Sequence, residues 1–260
     1  MKISLLTGAL ILGAAALAQA QTQQAGKPED TEVYEPVPRV VVASPNLAAP
    51  PSDALVLFDG KDLSQWVMAD DRSAPAKWKV GGGVFTVDKT TGNIETKKAF
   101  TNYQLHLEWR IPANISGTGQ ARGNSGVFLA SLGKGDLGYE LQIVDSYNNK
   151  TYVNGMAGSI YKQRVPLANP ARKPGEWQSY DVVWLAPTFK ADGSVQIPAR
   201  VTVFFNGVLV QNNVELAGPT RYIGPASYEG QKPGPAPIKL QAHGDKSEPD
   251  SFRNIWVREL

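Results

Sequence analysis

From Ala54 onward, apolar residues recur at every second position in short runs, each run closed by turn-forming residues. The clearest run is Tyr103–Ile111, in which Tyr103, Leu105, Leu107, Trp109 and Ile111 fall on one face and Gln104, His106, Glu108 and Arg110 on the other. A period of two marks a half-buried strand. Val201–Phe205 and Val208–Gln211 flank Asn206-Gly207, the dipeptide suited to a type I′ hairpin turn. Further strands are predicted at Val84–Val87, Gly126–Ala130, Tyr139–Val144, Ser159–Tyr161, Tyr180–Leu185, Ile238–His243 and Phe252–Leu260. Beyond the first twenty residues nothing keeps a helical period for three turns, and no internal repeat is visible. Roughly a dozen alternating strands over residues 54–260 predict one all-β domain, a two-sheet antiparallel jelly-roll sandwich.

Three segments depart from this texture. Residues 1–20 open with Met1-Lys2, run apolar from 3 to 17 and end in Ala18-Gln19-Ala20, the pattern of a cleavable signal peptide cut before Gln21. The apolar run is too short to cross about 30 Å of hydrocarbon, so no membrane span is expected. Residues 21–53 carry six prolines and read as a linker or extended arm, in which Val40–Val42 has the character of one edge strand. Residues 217–237 hold five prolines and four glycines, an irregular loop long enough to be functional or mobile.

Composition narrows the function classes. With 25 glycines and 19 prolines, a helical bundle is excluded. Lys+Arg 26 against Asp+Glu 24 gives a net charge of +2, which provides no electrostatic drive toward nucleic acid or anionic lipid. The chain has no cysteine, hence no lipoprotein anchor, disulfide or thiolate metal site. A signal peptide without a lipoprotein cysteine points to a secreted or periplasmic protein that relies on its core.

Eight segments, in order, resemble one family: Leu57–Trp66 (LFDGKDLSQW), Gly123–Phe128 (GNSGVF), Tyr139–Asp145 (YELQIVD), Gly158–Tyr161 (GSIY), Gly175–Trp177 (GEW), Asn206-Gly207, Leu240–Gly244 (LQAHG) and Phe252–Trp256 (FRNIW). Together they resemble the 3-keto-disaccharide hydrolase domain, first described as domain of unknown function 1080, over residues 54–260. The resemblance implies a concanavalin A-like lectin/glucanase fold, export in bacteria, and an oligosaccharide or glycoside substrate.

The candidate chemistry centres on Glu140, Gln142 and Asp145. In a regular strand Glu140 and Gln142 share a face, and Asp145 joins them only if one bulge follows Gln142. Laminarinase-type glucanases carry a similar Glu-x-Asp-x-x-Glu run, from which this chain departs at Gln142 and Asp145. The same pattern also suits the wet face of an ordinary antiparallel strand. In a 3-keto glycoside the ketone acidifies the hydrogen on carbon 2, so one base, one acid and one oxyanion stabiliser suffice for elimination and hydration. Glu140 is the candidate base and His243 or Asp145 the acid. Arg122 or a bound divalent cation is the group available for the enolate oxygen. Asn124, Gln142, Gln241 and Arg253 are candidate sugar contacts, with Arg122 beside them and Tyr161 as a stacking face. His106, beside Glu108 and Arg110, reads instead as a cross-strand pair, and two isolated histidines make no zinc motif. Ser125 lacks a nucleophile elbow, and Gly81–Gly83 is a turn. Two other readings stay open: an ordinary laminarinase-like glycoside hydrolase, and a sugar-binding module without catalysis.

Overall fold

Fifteen strands carry the alternation into three dimensions in the computed structural model, which describes residues 32–33, 35–43, 46, 48–231 and 234–260. The proposed signal peptide, residues 1–20, lies outside the described residues, as do residues 21–31 of the arm. The chain divides into two compact units, Met1–Val40 and Val41–Leu260. In the first unit the described residues form no regular secondary structure, and the edge strand expected at residues 40–42 is absent. Val42 instead exchanges hydrogen bonds with Ser52 through its amide and its carbonyl, an irregular clasp in place of a ladder.

The strands are β1 (Leu55–Phe58), β2 (Trp66–Met68), β3 (Lys79–Gly81), β4 (Val84–Thr86), β5 (Ile94–Thr96), β6 (Tyr103–Arg110), β7 (Ser125–Ser131), β8 (Gly138–Ile143), β9 (Gln178–Leu185), β10 (Thr188–Phe189), β11 (Val195–Ile197), β12 (Arg200–Phe205), β13 (Val208–Glu215), β14 (Lys239–Leu240) and β15 (Ser251–Glu259). An eight-stranded sheet runs β13-β12-β9-β6-β15-β4-β3, with β1 added to β15, and a five-stranded sheet runs β2-β5-β14-β7-β8. Strands β10 and β11 form a separate ribbon, and all the pairings are antiparallel. This is the jelly-roll sandwich of the lectin/glucanase type. Among the described residues no helix is long and apolar enough to cross a membrane.

The inward faces supply the core: Ile94, Val127, Leu129, Leu141, Ile143 and Leu240 from the smaller sheet, and Leu105, Leu107, Trp109, Tyr180, Val182 and Phe205 from the larger. Trp109 lies against Tyr180 and Phe205 at centroid separations of 5.5 and 5.7 Å. The expected hairpin forms with Asn206 at φ +51° and Gly207 at φ +79°, the left-handed pair a type I′ turn requires.

Two predicted strands are curtailed, each for a local reason. The Ile238–His243 strand stops at Leu240 because the Asn93 side chain takes the Ala242 amide at 2.7 Å, ending the ladder. Residues 159–161 reduce to two isolated bridges at Ile160, to Leu141 and to Arg164, since the chain folds back at Lys162, φ +59°. The backbone bonds Gln142 N to Ser159 O and Tyr161 N to Glu140 O still cover the outer edge of β8.

The outward face of the smaller sheet places the chemistry. Cross-strand pairing sets Glu95, Lys239, Phe128 and Glu140 in one row. The next outward row is Gln241, whose amide bonds Gly126 O, then Gly126 and its partner Gln142. Over these rows lie residues 132–138 and the loop from Ala217, joined where Thr220 N donates to Gly138 O at 2.8 Å.

Candidate active site

A cavity of about 140 Å³ opens on this face. Glu140, Gln142, Asn124, Gln241, His243 and Tyr161 line it, bringing together six of the nine residues singled out in the sequence, and Asp136, Thr220 and Tyr222 complete the wall. The side chains of Glu140 and Gln142 emerge on one side of β8 because Tyr139, Leu141 and Ile143 are committed to the core.

Glu140 is 5% exposed, and burial pushes its carboxyl up to about 8, with the negative charge of Asp136 adding to the effect. Its backbone amide donates to Thr220 Oγ1 at 3.1 Å. Asp136 is held by Asn93 Nδ2 at 2.9 Å. The loop that carries it is fixed from below by Lys239, whose buried ammonium donates to the carbonyls of Gly133, Gly135 and Leu137. Burial depresses the Lys239 amine while Glu95 and Asp136 pull the other way. Three carbonyl acceptors match the three donors of an ammonium, so the charge is tolerated in the interior.

Gln142 Nε2 donates to Gln120 Oε1 at 3.1 Å and Asn124 Oδ1 at 3.2 Å, and Asn124 Nδ2 donates to Gln120 O at 2.7 Å. This chain of amides fixes Gln142 with its Oε1 spare. Gln142 Oε1 and Gln241 Oε1 are buried and accept no hydrogen bond from the protein. Leaving a buried acceptor unmatched costs about 1–3 kcal/mol. Two such acceptors in one polar cavity suit a ligand rich in hydroxyl donors.

His243 Nδ1 is engaged by Asp245 Oδ2 at 2.8 Å, which leaves Nε2 as the ring nitrogen for a ligand. Asp245 in turn accepts from Lys89 Nζ at 2.9 Å and from Ser247 Oγ. Burial works against the Asp245 carboxylate, yet the bonds from Ser247, Lys89 and His243 outweigh it and hold its pKa below the usual value. At the rim, Tyr161 hydrogen-bonds Tyr152 through their hydroxyls at 2.5 Å, and burial plus that bond push the Tyr161 hydroxyl well up.

Three expected residues stand elsewhere. The bulge sits on β7, between Phe128 and Ser131, so β8 runs regularly to Ile143 and Asp145 follows its end. Asp145 does not line the cavity; its carboxylate is buried against Arg122 Nε at 2.6 Å and the Tyr147 amide at 3.0 Å. Arg122 is consumed by that pair and by Ile115 O at 2.9 Å, so it does not reach an enolate in the cavity either. Arg253 belongs to β15 of the other sheet, where it pairs with Glu108 at 2.6 Å and covers the Trp177 ring at 4.1 Å. Among the described residues no three His, Cys, Asp or Glu side chains are grouped to hold a metal ion.

Asp136, Thr220, Tyr222 and Asp245 were not among the sequence candidates. Tyr222 and Thr220 lie in the long Pro/Gly loop, and Asp245 lies two residues past His243; those were the available signals.

Residues 53–258 match the model of the 3-keto-alpha-glucoside-1,2-lyase-like domain. A crystal structure named glycosyl hydrolase, from Parabacteroides distasonis ATCC 8503, is similar at 52% identity, covering 90% of this chain and 97% of that one, with a TM-score of 0.82. Two more so named from that organism share the fold at 20% and 22% identity, each with a TM-score of 0.57; they cover 80% of this chain and 94% and 99% of their own. Among curated proteins there is no significant match.

Proposed function

The chain belongs to the 3-keto-alpha-glucoside-1,2-lyase-like domain family of carbohydrate-active enzymes, and on that premise we propose that the Glu140 cavity cleaves 3-keto glycosides by elimination followed by hydration. The observation that carries this reading is a buried carboxyl raised to about 8, sharing one cavity with a histidine oriented by an aspartate. A base whose pKa lies near neutrality combines a useful deprotonated fraction with real basicity.

Glu140 takes the proton from carbon 2, and the C–H electron pair becomes an enolate delocalised onto the carbon 3 oxygen. The enolate pair then forms the C1=C2 bond as the glycosidic C1–O bond breaks. His243, charged, donates a proton to the departing oxygen. In the return half, neutral His243 takes a proton from water as its oxygen adds to carbon 1, and Glu140 gives its proton back to carbon 2. The products are the free 3-keto sugar and the aglycone. The amide of Gln241 is the neutral donor nearest in kind to an oxyanion stabiliser, and the spare oxygens of Gln142 and Gln241 accept the sugar hydroxyls.

The test is incubation of the protein with a 3-keto disaccharide, following the free 3-keto sugar. Release by the wild type and its abolition by Glu140→Gln, at nearly unchanged melting temperature, is expected. Retained turnover in the variant defeats the assignment.

An unassisted glycoside hydrolase needs two carboxyls at the scissile bond. Asp136 is the other carboxyl lining the cavity, which keeps that reading as the second. Cleavage of an unoxidised 4-nitrophenyl glucoside, with none of the keto substrate, favours it.

The composition of residues 1–20 further supports export, with residues 21–53 as an arm ahead of a catalytic domain at 54–260. Amino-terminal sequencing of exported protein should begin at Gln21; an intact Met1 overturns this.

A further inference from the structure

We propose that the three tyrosines at the cavity mouth, Tyr152, Tyr161 and Tyr222, form an aglycone subsite for a flat aromatic group, an assignment that rests on the Glu140 cavity holding the sugar ring. The cavity divides by chemistry. Its floor offers amides and carboxyls, including the two buried oxygens without partners. Its rim offers ring faces, since Tyr161 and Tyr222 line the same cavity and Tyr152 packs against Tyr161 at a centroid separation of 6.2 Å.

Two of the three rim hydroxyls, those of Tyr152 and Tyr161, are engaged with each other at 2.5 Å. The Lys162 ammonium donates to Tyr222 O at 2.6 Å and sits over one face of the Tyr222 ring at 4.2 Å. Yet Tyr222 is 73% exposed, so its ring presents open aromatic surface beside the sugar site. A planar aromatic group needs only the ring surface. The Lys162 ammonium also lies 5.6 Å from the Tyr161 ring centroid, so one cation touches both rings and links their two loops.

The test measures binding by titration calorimetry with methyl, 4-nitrophenyl and glucosyl α-glucosides. The wild type should prefer the nitrophenyl compound to the methyl one by about three- to tenfold, the scale of one aromatic contact. Tyr222→Ala should erase that preference and Tyr222→Phe keep it, because the ring and not the hydroxyl is used. In turnover, Tyr222→Ala should lower the ratio of kcat/KM for the 4-nitrophenyl over the methyl 3-keto-α-glucoside by the same factor. No nitrophenyl preference in the wild type, or one that survives Tyr222→Ala, overturns the subsite. An equal loss for the glucosyl compound also overturns it, by showing a sugar-stacking face. If the preference depends on Tyr222 but neither keto substrate is cleaved, the proposed reaction falls and the subsite stands.

Discussion

Gly126 lies diagonally across the β7–β8 pair from Glu140, so close that a methyl group on it would come 2.8 Å from Glu140 Oε1 and 3.4 Å from Gln241 Oε1. The glycine is not needed for a left-handed turn, since it lies within the strand and outside the positive-φ set. Its missing side chain leaves the room that the Glu140 and Gln241 side chains occupy where they line the cavity.

Gly126→Ala should therefore fold and fail to work. A shift of the reacting group by about an ångström costs on the order of 100-fold in rate, whereas crowding by one methyl costs about 1–3 kcal/mol of stability. Release of 3-keto sugar and a thermal melt separate the two effects. A variant that melts normally and turns over at the wild-type rate shows that the space is unused.

The acidic limb of the rate profile tests both the role of Glu140 and the part played by Asp136. The charged and titratable groups around Glu140 are Asp136 from the β7–β8 loop, His243 after β14, and Tyr161 and Tyr222 from the rim. As a base, Glu140 must be ionised, so kcat/KM should rise about tenfold per pH unit and level near 8. Asp136→Asn removes a like charge and should move the midpoint toward acid. In a His243→Gln background, which removes the falling limb of the proposed acid, a rate that still falls with pH in this range would make Glu140 an acid. A limb unmoved by Asp136→Asn would leave burial as the only cause of the raised pKa.

Sequence alternation revealed the sandwich because the long strands β6, β9 and β12 bury one face each, whereas β15 loses the period at Asn254, φ +46°, where its register with β6 shifts. Strands of two or three residues, such as β2, β5 and β11, are too short to show any period. Glu140 and Gln142 were readable together since their spacing of two fixes a common face. Asp145 was not, because its position depended on a bulge, and the bulge went to the partner strand, where the sequence carries no mark of it. Asp136 reached the cavity through Lys239 and Asn93, contacts more than 40 residues apart in sequence that no local pattern encodes.

Arg122 and Asp145 are a structural pair in this fold, and their removal should show it. Asp145 is 1% exposed, so Arg122→Met leaves a buried carboxylate with the Tyr147 amide as its remaining side-chain partner. Breaking a buried pair from one side costs about 3–5 kcal/mol, and the lower end is expected because the Arg122 side chain is 26% exposed. Chemical denaturation measures the loss. Full stability together with loss of turnover would return Arg122 to the catalytic set.

On the larger sheet, His106 ties stability to pH independently of the cavity. Its Nδ1 lies 2.7 Å from Asp181 Oδ1, its Nε2 3.7 Å from Glu108 Oε1, and its ring stacks on Trp256. Burial pulls the ring down, but the bonds to Asp181 and Glu108 prevail and raise it to about 9. A raised histidine contributes stability that is complete below its unfolded pKa of about 6.5 and is lost as pH climbs through 9. Burial works against the Glu108 carboxyl too, yet its bonds to His106, Asn254 and Arg253 bring it down to about 2, so its share is present above about 4.5 and lost toward 2. Both contributions are complete between about 4.5 and 6.5. The histidine's part is on the order of 2 kcal/mol, discounted because the Asp181 side chain is 38% exposed. Glu140 also loses stability as pH rises, being a raised carboxyl, so the comparison must be with a His106→Gln variant that keeps Glu140. Urea unfolding at pH 6, 8 and 10 should show the wild-type advantage over that variant shrinking between pH 6 and 10. Parallel curves would mean that His106 is neutral in the folded protein and that Asp181 orients it without stabilising its charge.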